Sequence, residues 1–289
     1  IILTLLNIGI RKQCRSGPIR FLLLMLVIST AGYGFSIRPH LFTYLMITLF
    51  LLILRYYRKD KLRILTILPL LGLVWTNLHG AFFIGIVLMI IFTCAEIAKL
   101  IVSGKLRQEN RYTNALLIVT IMLAAVSLIN PYGAGLWNFI FESAQTPRPY
   151  LSEWAPFNPV ANFTDHTDFM ALSLVAFVSL FVSRRPKDPA WIVILILSFA
   201  AALVLRRNIP IFALVACCVL PEHLEDAAGK PLENIMASLP RAVFIPLLSL
   251  FICASCWYTL RFNKTNPFQI EVRQDRIPSG IISFIKENK

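Results

Sequence analysis

Residues 64–101 read ILTILPLLGLVWTNLHGAFFIGIVLMIIFTCAEIAKLI, an apolar run broken near its middle by Asn77-Leu78-His79-Gly80. An α-helix rises about 1.5 Å per residue, so roughly 20 apolar residues cross a hydrocarbon core about 30 Å thick. The run is nearly twice that long. Basic residues flank it on both sides: Arg55, Arg58, Lys59, Lys61 and Arg63 before, Lys105, Arg107 and Arg111 after. Positive loops mark the cytoplasmic side of a membrane protein. One long helix would separate the two clusters across the membrane, whereas two helices hinged at residues 77–80 keep them together. Gly80 permits the tight turn that such a hairpin needs, and two crossings are therefore expected.

The same criterion applied outward places spans near 1–10, 19–37, 41–57, 62–78, 81–101, 114–130, 168–183, 189–206, 208–224 and 241–260, the first of them truncated. The expected fold is all-α: a polytopic transmembrane helix bundle over residues 1–260, with about nine whole spans, followed by the start of an extracytoplasmic domain over 261–289. Asn266-Pro267 and Ile277-Pro278 are the boundary signals there. The chain begins inside an apolar run without Met and ends in an amphipathic segment, which reads as an internal fragment.

Composition supports this class. Charged residues make up 15% and hydrophobic residues 57%, with a mean hydropathy of +0.70, against about 25% and 45–50% for soluble domains. The six cysteines are spread along the chain, mostly within apolar runs, which excludes a disulfide scaffold. The net charge of +13 lies in short clusters between apolar runs, so topology explains it and a nucleic-acid partner is not expected.

With the basic loops inside, the polar residues of the opposite loops fall on the outer side: Arg38 and His40, Asn77 and His79, Asn130 and Tyr132, Glu153 and Trp154, Asp165, His166 and Asp168, and Arg206, Arg207 and Asn208. His223 falls inside. Polar groups near membrane depth are costly unless paired or lining an aqueous cavity, so their gathering on one face points to one external site. Each has an ordinary explanation as well. Arg38 beside Pro39 suits a turn with a snorkelling side chain, and Asn77 and His79 suit a hairpin with a Trp anchor at Trp75. Arg206-Arg207 is the stronger signal, because two guanidinium groups on the positive-poor side call for an anionic partner, and phosphate matches the Arg fork. The binding set is thus Arg38, His40, Asn77, His79, Arg206 and Arg207. Glu153 and Asp165 are the candidate carboxylates, as general base or divalent-cation ligand. Asp165-His166-Thr167-Asp168 lacks a specific metal spacing. Trp137, Phe139, Ile140 and Phe141 suggest an interfacial helix.

Taken in order, Arg38-Pro-His-Leu-Phe, Trp75-Thr-Asn-Leu-His-Gly-Ala-Phe, Asn130-Pro-Tyr-Gly, Glu153-Trp-Ala-Pro and Arg206-Arg-Asn-Ile-Pro resemble a group of bacterial multispan proteins similar to the C-type glycosyltransferases. That resemblance covers residues from about 20 to 289. It implies a protein of the bacterial cytoplasmic membrane that acts as a hexosyl- or pentosyltransferase. The sugar would come from a polyprenyl-phosphate donor on the extracytoplasmic face, with the catalytic carboxylate of the first external loop upstream of residue 1. A transporter or lipid-handling protein is the rival reading, lowered by the lack of repeated halves. A noncatalytic membrane scaffold is the third.

Overall fold

The computed structural model describes residues 1–32, 34–35, 38–56, 62–104, 111–146, 148 and 150–238. The described residues are helical, without strands. In chain order the helices are α1 (Ile2–Gln13), α2 (Gly17–Gly32), α3 (His40–Tyr56), α4 (Ile67–Leu78), α5 (Phe83–Val102), α6 (Arg111–Val126), α7 (Gly135–Gln145), α8 (Thr167–Val182), α9 (Pro189–Val204), α10 (Ile209–Val219) and α11 (Pro221–Ser238). Short 3-10 turns at Leu62–Thr66, Gly80–Phe82, Ser152–Trp154 and Arg206–Asn208 join several of them. The chain divides into one compact unit, Ile1–Glu233, and a second, Asn234–Lys289. The expected span 241–260, the domain start at 261–289 and the Cys253/Cys256 pair lie outside the described residues.

The hairpin at residues 77–80 is present. Helix α4 ends at Leu78, His79 adopts an extended backbone, and a 3-10 turn leads into α5. Gly80–Val102, 23 residues long, is long and apolar enough to cross a membrane. Six further apolar helical segments are shorter, at 10–17 residues.

Helix α10 is the centre of the first unit. Its sequence, IPIFALVACCV, is apolar on every side, so it buries every residue from Ile209 to Val219 except Ile211, which is half-buried. It packs on α9, α2, α3, α1 and α8. Beside it, Phe169, Phe199 and Phe212 meet with ring centroids 5.5–5.9 Å apart. A second core joins α3, α4 and α5, where Phe50 and Trp75 meet edge to face at 5.6 Å. Gly85 lets α5 approach this pair, since a Cβ there would sit 3.0 Å from both rings. The outward faces stay apolar: Leu70, Ile121, Leu174 and Phe181 are exposed.

Charged side chains collect at both ends of the helices. At one end, Arg55 bonds Gln13 of α1 and pairs with Glu222 of α11, Lys99 pairs with Asp188, and Asp226 accepts from the Arg184 backbone. The opposite end gathers Arg38 before α3, the α4–α5 turn, residues 150–157 and the α9–α10 turn. Phe157 N–H donates to Leu203 O at 2.8 Å and Arg206 N–H to Ala155 O at 3.2 Å, tying the last two together.

Two features differ from expectation. The span expected at 208–224 stops at Val219, because Pro221 has no N–H to continue the ladder and suits the first turn of a new helix. That new helix, α11, is amphipathic and carries Glu222, Glu225 and Asp226, residues that apolar periodicity passed over. Within residues 131–167, α7 coincides with the helix expected at residues 137–141, whereas the 3-10 turn at Ser152–Trp154 was not expected.

Candidate functional site

A cavity of about 450 Å³ opens at the end opposite the basic loops. Its floor is α3, through His40, Thr43 and Tyr44, and the α4–α5 turn, through His79, Gly80 and Ala81. Its walls are α7, the segment reaching Glu153 and Trp154, and the α9–α10 turn with Arg207 and Asn208. The volume lies within the range of about 300–1,000 Å³ common for small-molecule sites.

Trp154 organises the cationic wall. The guanidinium of Arg148 lies 4.1 Å from the centre of its indole ring and that of Arg207 lies 4.3 Å away. Arg148 also donates to Ser143 Oγ at 2.5 Å. Among the described residues, no hydrogen bond or ion pair engages the guanidinium of Arg207. Burial pushes its pKa below the usual arginine value, Glu153 and Tyr44 oppose that, and Arg148 adds to it. Arginine remains charged nonetheless. The cavity therefore holds a half-buried cation whose N–H groups are free to meet a ligand.

His79 stands on the floor. Its Nδ1 is 2.8 Å from Thr43 Oγ1 and accepts from Ala81 N–H at 3.3 Å. Burial lowers its pKa, and Arg207 and then His40 lower it further, which favours the neutral ring. His40 places its Nε2 2.7 Å from Gly34 O, and since a carbonyl only accepts, that nitrogen carries a proton.

The sequence-expected residues divide. His40, His79 and Arg207 line the cavity, as does Glu153. Arg38 does not line it; its exposed side chain reaches Glu153 Oε2 at 3.3 Å from outside. Arg206 turns away from the cavity to donate to Ser152 O, while its Nε is buried without a partner. Asn77 is occupied by backbone, donating to Leu73 O and Ile129 O at 2.9 and 3.0 Å. Asp165 is exposed and apart from the cavity, beside Thr164. His166 is buried against Phe157, and Asp168 accepts from Ser29 Oγ at 2.9 Å. No group of three or more metal-type side chains occurs among the described residues.

Sequence reasoning missed Arg148 and Thr43. Arg148 is a lone arginine in a positive-poor loop, and the argument applied to Arg206 and Arg207 would have selected it. Thr43 carries no signal of its own, because a threonine inside an apolar helix usually bonds the preceding turn.

No protein-family model, curated protein or solved structure matches the chain. The functional reading rests on the cavity itself and on the motifs quoted above.

Proposed function

We propose that the chain is a multi-pass protein of the bacterial cytoplasmic membrane whose cavity binds the phosphate head of a polyprenyl-phosphate-linked sugar on the extracytoplasmic face and transfers that sugar to an acceptor. The observation carrying this reading is Arg207: a half-buried guanidinium stacked on Trp154, beside Arg148, without a protein acceptor among the described residues. A buried cation needs an anionic partner, and the planar fork suits phosphate. Apolar side chains, Phe83, Ile84, Phe139 and Ile140, also line the cavity, which suits a ligand that is part anion and part hydrocarbon. Helix α7, which supplies Phe139 and Ile140, buries none of its residues fully and exposes Phe139 and Phe141, as an interfacial helix does. The apolar outward faces of α4, α6 and α8 support lipid surroundings, and the segregation of the basic loops supports the orientation.

The chemistry follows from charge placement. The base is assigned to the cavity-lining Glu153 in place of the upstream carboxylate that the resemblance implies. Its carboxylate takes the proton of an acceptor hydroxyl, whose oxygen forms a bond to the anomeric carbon of the sugar. The bond from that carbon to the donor phosphate oxygen breaks, and its electron pair leaves on the phosphate, where Arg207 and Arg148 stabilise the charge. A divalent cation, if used, would join the phosphate rather than a cluster of protein ligands.

The test uses the full chain in nanodiscs with farnesyl phosphate as probe. Arg207→Gln removes charge-assisted hydrogen bonds worth about 1.5–3 kcal/mol each, so affinity falls roughly tenfold or more. Unchanged binding rejects the site. Phosphate binding without any sugar transfer, insensitive to Glu153→Gln, favours the lipid-handling alternative.

A further inference from the structure

The floor of the cavity contains a relay whose proton directions can be deduced from donor and acceptor chemistry. Trp75 is fully buried and its Nε1–H can only donate; it lies 3.0 Å from Thr43 Oγ1. Thr43 is itself buried, and its hydroxyl is 2.8 Å from His79 Nδ1. That hydroxyl, with two lone pairs and one proton, can accept from Trp75 and also donate to Nδ1. Ala81 N–H, which also can only donate, converges on the same Nδ1 at 3.3 Å. A proton on this nitrogen would oppose the Ala81 amide, so Nδ1 is the acceptor and the Thr43 hydroxyl donates to it. A neutral imidazole carries one proton, which must sit on Nε2. The other ring nitrogen is turned to α3 and the backbone, so Nε2–H is the group that His79 offers to the cavity it lines.

We infer that Thr43, oriented by Trp75, is a positioning residue that locks His79 in the Nε2–H form, and that this N–H donates to a phosphoryl oxygen of the ligand held by Arg207. The inference rests on the anion site proposed above and adds to it the direction and type of one contact. It separates the two kinds of donor in the cavity. Arg207 and Arg148 supply positive charge, whereas His79 supplies a directed neutral donor that does not add to their mutual repulsion. Lowering of the His79 pKa by burial and by Arg207 is consistent with that division. The hydrogen bonds also explain why the turn is extended at His79: φ of −159° and ψ of 138° bring Nδ1 back over Ala81 N–H.

The experiment uses the full chain in nanodiscs, labelled with 15N-histidine, and farnesyl phosphate as probe. At pH 7 the His79 resonances, assigned by their loss in His79→Gln, should show a protonated Nε2 and a bare Nδ1 before ligand is added. Addition of the probe should shift Nε2 and leave Nδ1 in place. Thr43→Val, which keeps shape but removes the hydroxyl, should mix the tautomers and weaken probe binding about three- to tenfold, and Thr43→Ser should restore both. A protonated Nδ1 in the unliganded protein overturns the relay. An Nε2 signal indifferent to the probe, in protein whose probe binding still depends on Arg207, overturns the contact and leaves the anion site standing. Loss of all probe binding dependence on Arg207 removes the anion site and the inference with it. Should Thr43→Val fail to fold, the tautomer and its response in the unmutated chain decide alone.

Discussion

Arg38 Nη1 stands 3.3 Å from Glu153 Oε2, so the residues just before α3 are latched to the turn that carries the cavity's carboxylate. Both side chains are substantially exposed, and exposed ion pairs contribute only about 0–1 kcal/mol to stability. Arg38→Gln should therefore leave the melting temperature within a few degrees of the parent. Its effect should appear in turnover, because Glu153 loses the partner that orients it, while farnesyl phosphate binding stays within about threefold. Glu153→Gln should lower turnover by about 10²–10⁴-fold, the usual contribution of a general base. Sugar-transfer assays with binding titrations check both; a parallel loss of binding in Arg38→Gln would place that arginine on the ligand itself.

Asn77 gives the opposite pattern. Its amide joins the end of α4 to Ile129 O as well as to Leu73 O, so it holds two parts of the chain together and does not face the cavity. Asn77→Ala should cost about 0.5–1.5 kcal/mol per hydrogen bond lost, visible as a lower melting temperature. Probe affinity of the folded variant should match the parent. A selective loss of affinity would contradict the structure.

How much of this was legible beforehand depends on the scale of the signal. Periodicity over some 20 residues decides a helix, and the hairpins at residues 77–80 and 206–208 follow because polar residues break an apolar run at each. The basic clusters likewise sort the helix ends without any knowledge of contacts. Single side chains were less legible. Arg206 and Arg207 are identical in type and adjacent, yet a 3-10 turn sends one to Ser152 O and the other onto Trp154. Asn77 and His79 share one turn but serve backbone and cavity respectively. Such choices are made by contacts between residues 36–54 positions apart, which composition and spacing do not encode.

Acid should weaken the fold. Burial lowers the pKa of His166 and of His223 from the ordinary 6.5, against the opposing pull of Asp168 on the first and of Glu222 on the second. Neutral imidazole is thus favoured in the folded state. Above pH 6.5 neither state binds the proton and no penalty arises; as pH falls below 6.5 the unfolded chain protonates first, and stability is lost down to the lowered folded pKa. Melting temperature should decline between pH 6.5 and 5. His223→Gln should flatten part of that decline, since it removes one of the groups whose protonation unfolding permits. A melting temperature independent of pH in this window would show that the histidines are not held neutral.

Orientation is checked by labelling. Single cysteines introduced at Tyr150 and at Arg185, in a chain whose native cysteines are replaced, should react with a membrane-impermeant maleimide from opposite sides. Tyr150 should label in intact spheroplasts and Arg185 only after lysis. Labelling of both from one side would require the cavity and the basic loops to share a face, against the separation of the charge pairs at Arg55 and Lys99 from the cavity at Arg207.

Trp154 holds the two cationic groups of the wall, at 4.1 and 4.3 Å from its ring centre. Stacking of a guanidinium on an indole contributes about 0.5–2 kcal/mol, more as the pair is desolvated. Without the ring, Arg148 keeps its hydrogen bonds to Ser143, but Arg207 has no other partner among the described residues to fix its direction. Trp154→Leu should therefore weaken farnesyl phosphate binding about three- to thirtyfold, chiefly through faster dissociation, whereas Trp154→Phe retains a stacking face and part of the affinity. The salt dependence of binding separates this effect from loss of charge. Both cations remain in Trp154→Leu, so the slope of affinity against ionic strength should match the parent, while Arg207→Gln should reduce it. An unchanged affinity in Trp154→Leu would mean that Arg207 is directed by the ligand alone.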